Sequence, residues 1–158
     1  MDVDGVLTRG DINVDHKGDE FKVFNVQDGF AIVVFQKAGF KTAIITARSC
    51  RAVAARAKDL KINRIFQDAY PKIEAYEKLL QEFDVKDEQV CFIGDDLPDL
   101  AVLKRVGLAV AVKNAVDEIK DVAHYVTRKS GGEGAVREVI ELILKGNGQW
   151  AKILQVFS

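Results

Sequence analysis

Apolar and polar positions along this chain fall into short blocks whose period switches repeatedly between two and about three and a half residues. Ile12-Asn13-Val14 and Phe21-Lys22-Val23-Phe24 are brief β-type runs either side of the turn-rich Asp15-His16-Lys17-Gly18-Asp19. That arrangement predicts a hairpin, within residues 8–24, with a loop longer than two residues. An isolated hairpin is barely stable in water, so this one is expected to pack against something, another subunit included. His16, at the charged tip, is read as solvated. From Asp28 to Lys37, apolar residues at Phe30, Ile32, Val33, Val34 and Phe35 mark a helix that stops at Gly39. Lys41–Thr46 reads as a short buried strand, Ser49 as the cap of a helix through about Leu60, and Arg64–Phe66 as another strand. Pro71 suits the first position of a helix that runs to Phe83. Gln89–Ile93 is the next strand and breaks at Gly94. A helix from about Pro98 to Val106, the strand Leu108–Ala111, a short helix from Ala115 and the strand His124–Thr127 follow. Gly131-Gly132-Glu133-Gly134 opens a last helix to about Lys145.

Strands alternating with helices through short connections imply right-handed crossovers and a parallel sheet covered on both faces. The expected fold is therefore α/β, Rossmann-like, with a small hairpin near its beginning. The tail, 146–158, carries Trp150, Ile153, Leu154, Val156 and Phe157, too apolar for a solvated end, and is expected to dock on this subunit or a neighbour.

Composition narrows the class. At 158 residues, nearly half of them apolar, the chain is expected to be one globular domain, 1–158. A net charge of −1 gives no electrostatic reason to expect nucleic acid or an anionic membrane as partner. Cys50 and Cys91 form no metal-ligand pattern, and Cys91, inside an apolar run, is read as a buried free thiol. With no disulfide signal, no signal peptide before the first motif and no apolar run of transmembrane length, a cytoplasmic setting is expected.

The chemistry concentrates where strands end. In a parallel α/β sheet, ligands bind outside the carboxyl ends of the strands. Asp2 and Asp4, two residues apart, project to the same side of an extended backbone, and Gly5 lets the chain turn away. Carboxylates held that close call for a hard divalent cation, Mg²⁺ above all. Thr46, Arg48 and Ser49 follow the Lys41–Ile45 strand, Lys72 opens a helix, and Asp95, Asp96 and Asp99 follow Gly94. Acids, a hydroxyl and cations at one sheet edge suit phosphoryl transfer, in which a carboxylate attacks phosphorus and a second acid shuttles the proton.

Asp2-Val3-Asp4-Gly5-Val6-Leu7-Thr8, Thr46, Lys72 and Gly94-Asp95-Asp96-Leu97-Pro98-Asp99 resemble the four motifs of the haloacid dehalogenase superfamily of phosphohydrolases. More particularly, Phe24–Gly29, Thr46–Ser49 and Gly131–Glu138 resemble the 3-deoxy-D-manno-octulosonate 8-phosphate (KDO 8-phosphate) phosphatases, a capless branch acting in lipopolysaccharide sugar biosynthesis. The resemblance implies Asp2 as nucleophile and Mg²⁺ ligand, and Asp4 as general acid/base that also ligates through its backbone carbonyl. It implies Thr46 and Lys72 on the phosphate, Asp95 completing the metal site, and Asp96 and Asp99 in support. Asn25, Val26, Gln27, Asp28, Gly29, Arg48 and Ser49 would line the sugar-acid pocket, with Arg56 a candidate for the substrate carboxylate. It further implies a homotetramer in which hairpins associate and a neighbour shields each site. The same chemistry on a sialic-acid-type 9-phosphate, and a silent assembly domain, are the alternatives. The sequence departs from the family at Ala47, where glycine is usual, and at Gln67–Pro71, which lacks a glycine common before the lysine. Only Met1 precedes Asp2, where a rigid strand is expected beneath a nucleophile, so the polypeptide as given is expected to begin late.

Overall fold

The computed structural model describes residues 1–158. After the opening residues come the hairpin strands β1 (Asn13–Val14) and β2 (Glu20–Phe21), then α1 (Val26–Lys37), β3 (Ala43–Ile45), α2 (Arg51–Asp59), β4 (Arg64–Phe66) and α3 (Lys72–Phe83). The second half runs β5 (Cys91–Gly94), α4 (Leu100–Leu103), β6 (Leu108–Ala111), α5 (Asp117–Lys120), β7 (Tyr125–Val126), α6 (Ala135–Gly146) and α7 (Trp150–Val156).

β3 pairs with β4, and β5 with β6 and β6 with β7, all parallel. The two groups are joined through the first two residues. The Met1 amino group donates to the Ala43 carbonyl, Ile45 N–H donates back to the Met1 carbonyl, and Asp2 N–H donates to Ile93. That is a parallel ladder with Met1–Asp2 in the central place, so the order reads β4, β3, Met1–Asp2, β5, β6, β7. Beyond Met1 the flanking strands border an apolar groove of about 640 Å³, reaching Ala43, Val90 and Cys91 at the sheet and Tyr76 and Ile140 on the helices. The chain runs outward from Met1–Asp2 through β3 to β4, then crosses to β5 on the other side and runs outward to β7. That puts the topological switch point, where such sheets bind ligands, beside Asp2.

The sheet is buried because its strands are apolar throughout: Phe92-Ile93 and Ala109-Val110-Ala111 are shielded on both faces. α6 supplies Val136, Val139, Ile140 and Leu144 at helical spacing and packs on α1. A buried carboxylate locks that pair. Asp28 on α1 accepts hydrogen bonds from Gly134 N–H (3.2 Å) and Arg137 N–H (2.8 Å) at the start of α6, where the helix dipole favours an anion.

Several sequence expectations need correction. Ser49 is exposed and caps nothing; the residue before α2 is Cys50, whose N–H donates to the Gln67 side chain at 2.8 Å. A side chain from after β4 thus satisfies a helix end that was assigned to a local cap. Pro71 precedes α3 rather than opening it, and Lys72 is the first helical residue. The Pro98–Val106 helix is a 3₁₀ turn, Leu97–Asp99, followed by the single-turn α4. The tail, expected to dock on this subunit or a neighbour, forms α7. It folds back on its own chain, with Phe157 edge-on to Phe30 of α1 (centroids 5.5 Å apart) and Lys145 over Trp150.

Replacing Asp28 with alanine strands two buried N–H groups. The expected loss is about 2–4 kcal/mol of unfolding free energy, the range for unpartnered buried donors and a lost charge-assisted pair. Urea titration of wild type and Asp28→Ala checks it.

Candidate active site

The turn after Asp2 is tight. Val6, Leu7 and Thr8 N–H groups all donate to the Val3 carbonyl, at 3.2, 2.9 and 3.0 Å. Gly5 inside it has φ +86°, and a Cβ there would stand 2.0 Å from Asp95 Oδ2. No other residue combines that backbone with so close a carboxylate. The Gly131–Gly134 loop closes over the turn: Gly132 N–H donates to the Val6 carbonyl, and a Cβ on Gly131 would lie 1.6 Å from the Gly5 carbonyl oxygen.

Asp2, Asp95 and Asp99 offer oxygens within 4.8 Å of one another. Residues 2 and 95, far apart in sequence, therefore meet, as adjacent strand ends must. Lys72, its side chain 2% exposed, reaches between two of these acids: Nζ lies 2.9 Å from Asp2 Oδ2 and 2.6 Å from Asp99 Oδ1. The remaining Asp99 oxygen accepts from Asp95 N–H at 3.0 Å. Asp99 is thereby fully engaged, whereas Asp2 Oδ1 and Asp95 Oδ1 are buried without a hydrogen-bond partner. Unpartnered buried carboxylate oxygens facing one small volume fit a hard divalent cation. Once all three carboxylates are ionised, one ammonium leaves two negative charges, the amount such a cation offsets.

The electrostatics agree. Burial raises the Asp95 carboxyl from 3.8 to about 8, helped by repulsion from Asp2 and Asp99. Asp2 is also raised, first by burial and then by Asp99, and Lys72 only partly counters this. On Lys72, burial works against the charge, but the Asp2 and Asp99 carboxylates outweigh it and hold the ammonium above its ordinary range.

Thr46 is buried at the end of β3, its hydroxyl accepting from Arg48 N–H at 3.4 Å. Asp4 points towards the hairpin. Lys22 Nζ donates to Asp4 Oδ1 and Glu20 Oε1, both at 2.5 Å, and Arg48 lies 3.0 Å from Glu20 and 3.7 Å from Asp4 Oδ2. Glu20 and Lys22 were not among the residues singled out from the sequence. The signal that marks them is their i, i+2 spacing around exposed Phe21, which turns both charges to one face of the strand.

The expected pocket wall divides. Val26 and Gln27 are exposed, and Arg56 lies against Gly29, where a Cβ would meet its Nη2 at 2.2 Å. Asn25 spends its carbonyl oxygen capping α1 and its amide on the Gly132 carbonyl. Asp28 needs correcting as a lining side chain: at 1% exposure, with both oxygens bound to α6, it is out of a substrate's reach. Asp96 is exposed and caps the 3₁₀ turn, accepting from Leu97 N–H. Both cysteines are free, and burial pushes the Cys91 thiol up to about 12.

A tight turn carrying a buried aspartate, a lysine clamped between acids and a second acid cluster at one sheet edge invite comparison with known proteins. Residues 64–140 match the model of the haloacid dehalogenase-like hydrolases. The chain is 46% identical over 143 residues to the 3-deoxy-D-manno-octulosonate 8-phosphate phosphatase of Yersinia pestis, an alignment covering 90% of this chain and 76% of the relative. It belongs to that family. Its counterpart in Escherichia coli strain K12 is 42% identical, over 94% of this chain and 79% of the relative. Among solved structures, the family's enzyme from Moraxella catarrhalis, in complex with magnesium ion, phosphate ion and KDO, superposes with a TM-score of 0.98 at 40% identity. That match covers 100% of this chain and 91% of the other. A probable YrbI family phosphatase from Pseudomonas syringae gives a TM-score of 0.97 at 46% identity, covering 99% and 89% of the two chains.

A pH signature follows from the acid cluster. Between pH 4 and about 8, metal-free folded protein keeps a proton on Asp95 that the unfolded chain has released, so this group's stabilisation is lost as pH rises through 8. A cation bound to the ionised form reverses the penalty. The increase in Tm on adding Mg²⁺ to chelator-treated protein is therefore expected to be larger at pH 8 than at pH 6, and Asp95→Asn to remove that growth.

Proposed function

We propose that this member of the haloacid dehalogenase-like phosphatases hydrolyses 3-deoxy-D-manno-octulosonate 8-phosphate, releasing the free sugar acid for lipopolysaccharide biosynthesis. The observation that carries the reading is the division of labour on Asp2: one oxygen on Lys72, the other unpartnered beside Asp95. The curated relatives named for this substrate, and the Moraxella structure with its three bound groups, support the choice of sugar acid.

When bound, Mg²⁺ held by Asp2, Asp95 and the Asp4 backbone carbonyl supplies the positive charge that lets carboxylate and phosphate anions approach. Lys72 and Thr46 hold the phosphate oxygens, and Lys72 also keeps Asp2 anionic. Asp2 Oδ2 attacks phosphorus. The bond to the sugar oxygen breaks with its electron pair on that oxygen, and Asp4 donates the proton. Asp4, now a carboxylate, takes a proton from water. The water oxygen attacks the aspartyl phosphate, and Asp2 leaves as the free carboxylate. Asp99 holds Lys72 and the Asp95 backbone, while Asp96 supports the turn. Asn25, Val26, Gln27 and Gly29 through the α1 start, with Arg48, Ser49 and Arg56, border the sugar-acid side.

The proposed setting is cytoplasmic, and no helix is long and apolar enough to cross a membrane. The proposed assembly is a homotetramer joined through the hairpins. Phe21 and Val23 stand exposed on the face turned away from Glu20 and Lys22, an apolar patch that a second copy would cover.

Phosphate release from a panel of sugar phosphates, including a nine-carbon sialic-acid-type ester, is expected to require Mg²⁺ and to favour the eight-carbon acid. Asp2→Asn should lose on the order of 10³-fold or more in kcat. Unchanged turnover in that variant rejects the nucleophile assignment, and no turnover by wild type on any ester favours a silent scaffold. Light scattering is expected to give four times the 17.5 kDa chain mass. A fully active monomer removes the neighbour from the site.

A further inference from the structure

The hairpin does more than present an apolar face. Lys22 carries its ammonium inward, its side chain 1% exposed, to a point 2.5 Å from both Asp4 Oδ1 and Glu20 Oε1. A lysine that deep costs desolvation unless its partners are well placed, so the placement is specific. Its effect on Asp4 is asymmetric. Oδ1 is occupied by the Lys22 N–H, whereas Oδ2 is buried with no hydrogen-bond partner, the Arg48 Nε lying 3.7 Å away.

We propose that Lys22 is a positioning residue for the proton-transfer step: by holding Asp4 Oδ1, it makes Oδ2 the oxygen that gives the proton to the leaving group and takes it from water. Glu20 completes the device. Its carboxylate binds Lys22 through Oε1 and Arg48 through Oε2, at 2.5 and 3.0 Å, so the ammonium reaches Asp4 as half of an ion pair. Glu20 thereby fixes where the Lys22 ammonium stands, one of its carboxylate oxygens accepting from Lys22 and the other from Arg48. Lys22 itself exchanges no proton and breaks no bond. A carboxyl whose one oxygen already accepts an N–H places its own proton on the other oxygen, which is the one left free to meet the leaving group. The inference rests on Asp4 being the acid/base of the proposed function.

The leaving group separates this role from its rivals. A sugar alkoxide needs a proton as it departs, and 4-nitrophenolate does not. The test is the pre-steady-state burst of leaving-group release, which reports the first bond cleavage alone, for the eight-carbon sugar-acid phosphate and for 4-nitrophenyl phosphate. In Lys22→Met, the sugar-phosphate burst is expected to slow about 10- to 100-fold, a share of the roughly 10²- to 10⁴-fold that general acid catalysis supplies, while the 4-nitrophenyl burst stays within about twofold. KM should change little for either. Lys22→Arg, which keeps the charge and a donor, should recover part of the loss, and Glu20→Gln should show the same split as Lys22→Met. Equal slowing on both esters makes Lys22 structural or phosphate-binding and overturns the proposal. A rise in KM on the sugar acid alone makes it a ligand for the substrate carboxylate and also overturns it. If Lys22→Met fails to fold by circular dichroism, the Arg and Gln variants decide on the same criteria. Wild-type turnover that fails on both esters would instead sink the phosphatase reading itself.

Discussion

One ammonium group governs the architecture of this site. Lys72 lies between Asp2 and Asp99, within 2.9 and 2.6 Å, in a place almost closed to water. Without it, three acids at one sheet edge would repel, and burial would drive them to their neutral forms. With it, Asp2 stays usable as an anion, and Asp99 becomes a bracket that holds both the lysine and the Asp95 backbone. The price is a site poised with surplus negative charge, which a divalent cation removes. Stability and chemistry therefore depend on the same ion.

Crowding supports this electrostatic arrangement. Gly5 lets Asp95 come where a side chain would otherwise stand, and Gly131 lets the loop before α6 rest on the Gly5 carbonyl. Asp28 holds the far end of that loop by gripping the first amides of α6. A line of contact thus runs from the α1–α6 pair, through the glycine loop, to the turn after Asp2.

The hairpin forms a second charged layer. Glu20, Lys22, Arg48 and Asp4 alternate in sign around one small volume, so each charge is faced by its opposite. The opposite face of the same two-residue strand is apolar and exposed. A segment too short to be stable alone is held by charge on one side and offers apolar surface on the other.

The alternation of apolar runs and helical spacings was enough to read the parallel α/β fold and the order of its elements, because burial on both faces demands apolar strands wherever the sheet goes. The acids after Met1 and Gly94, with Thr46 and Lys72, were legible for a related reason: strand ends in such a sheet share one edge. Other features were invisible from local signals. The α2 start is satisfied by Gln67 rather than Ser49, Asp28 is spent on α6 rather than on the pocket, and the tail coils into α7 against Phe30. Nothing local set Glu20 and Lys22 apart from the other charges of the hairpin. Each of these is decided by a partner distant in the chain, and spacing along a sequence carries no record of which distant group will arrive to share a hydrogen bond or a charge.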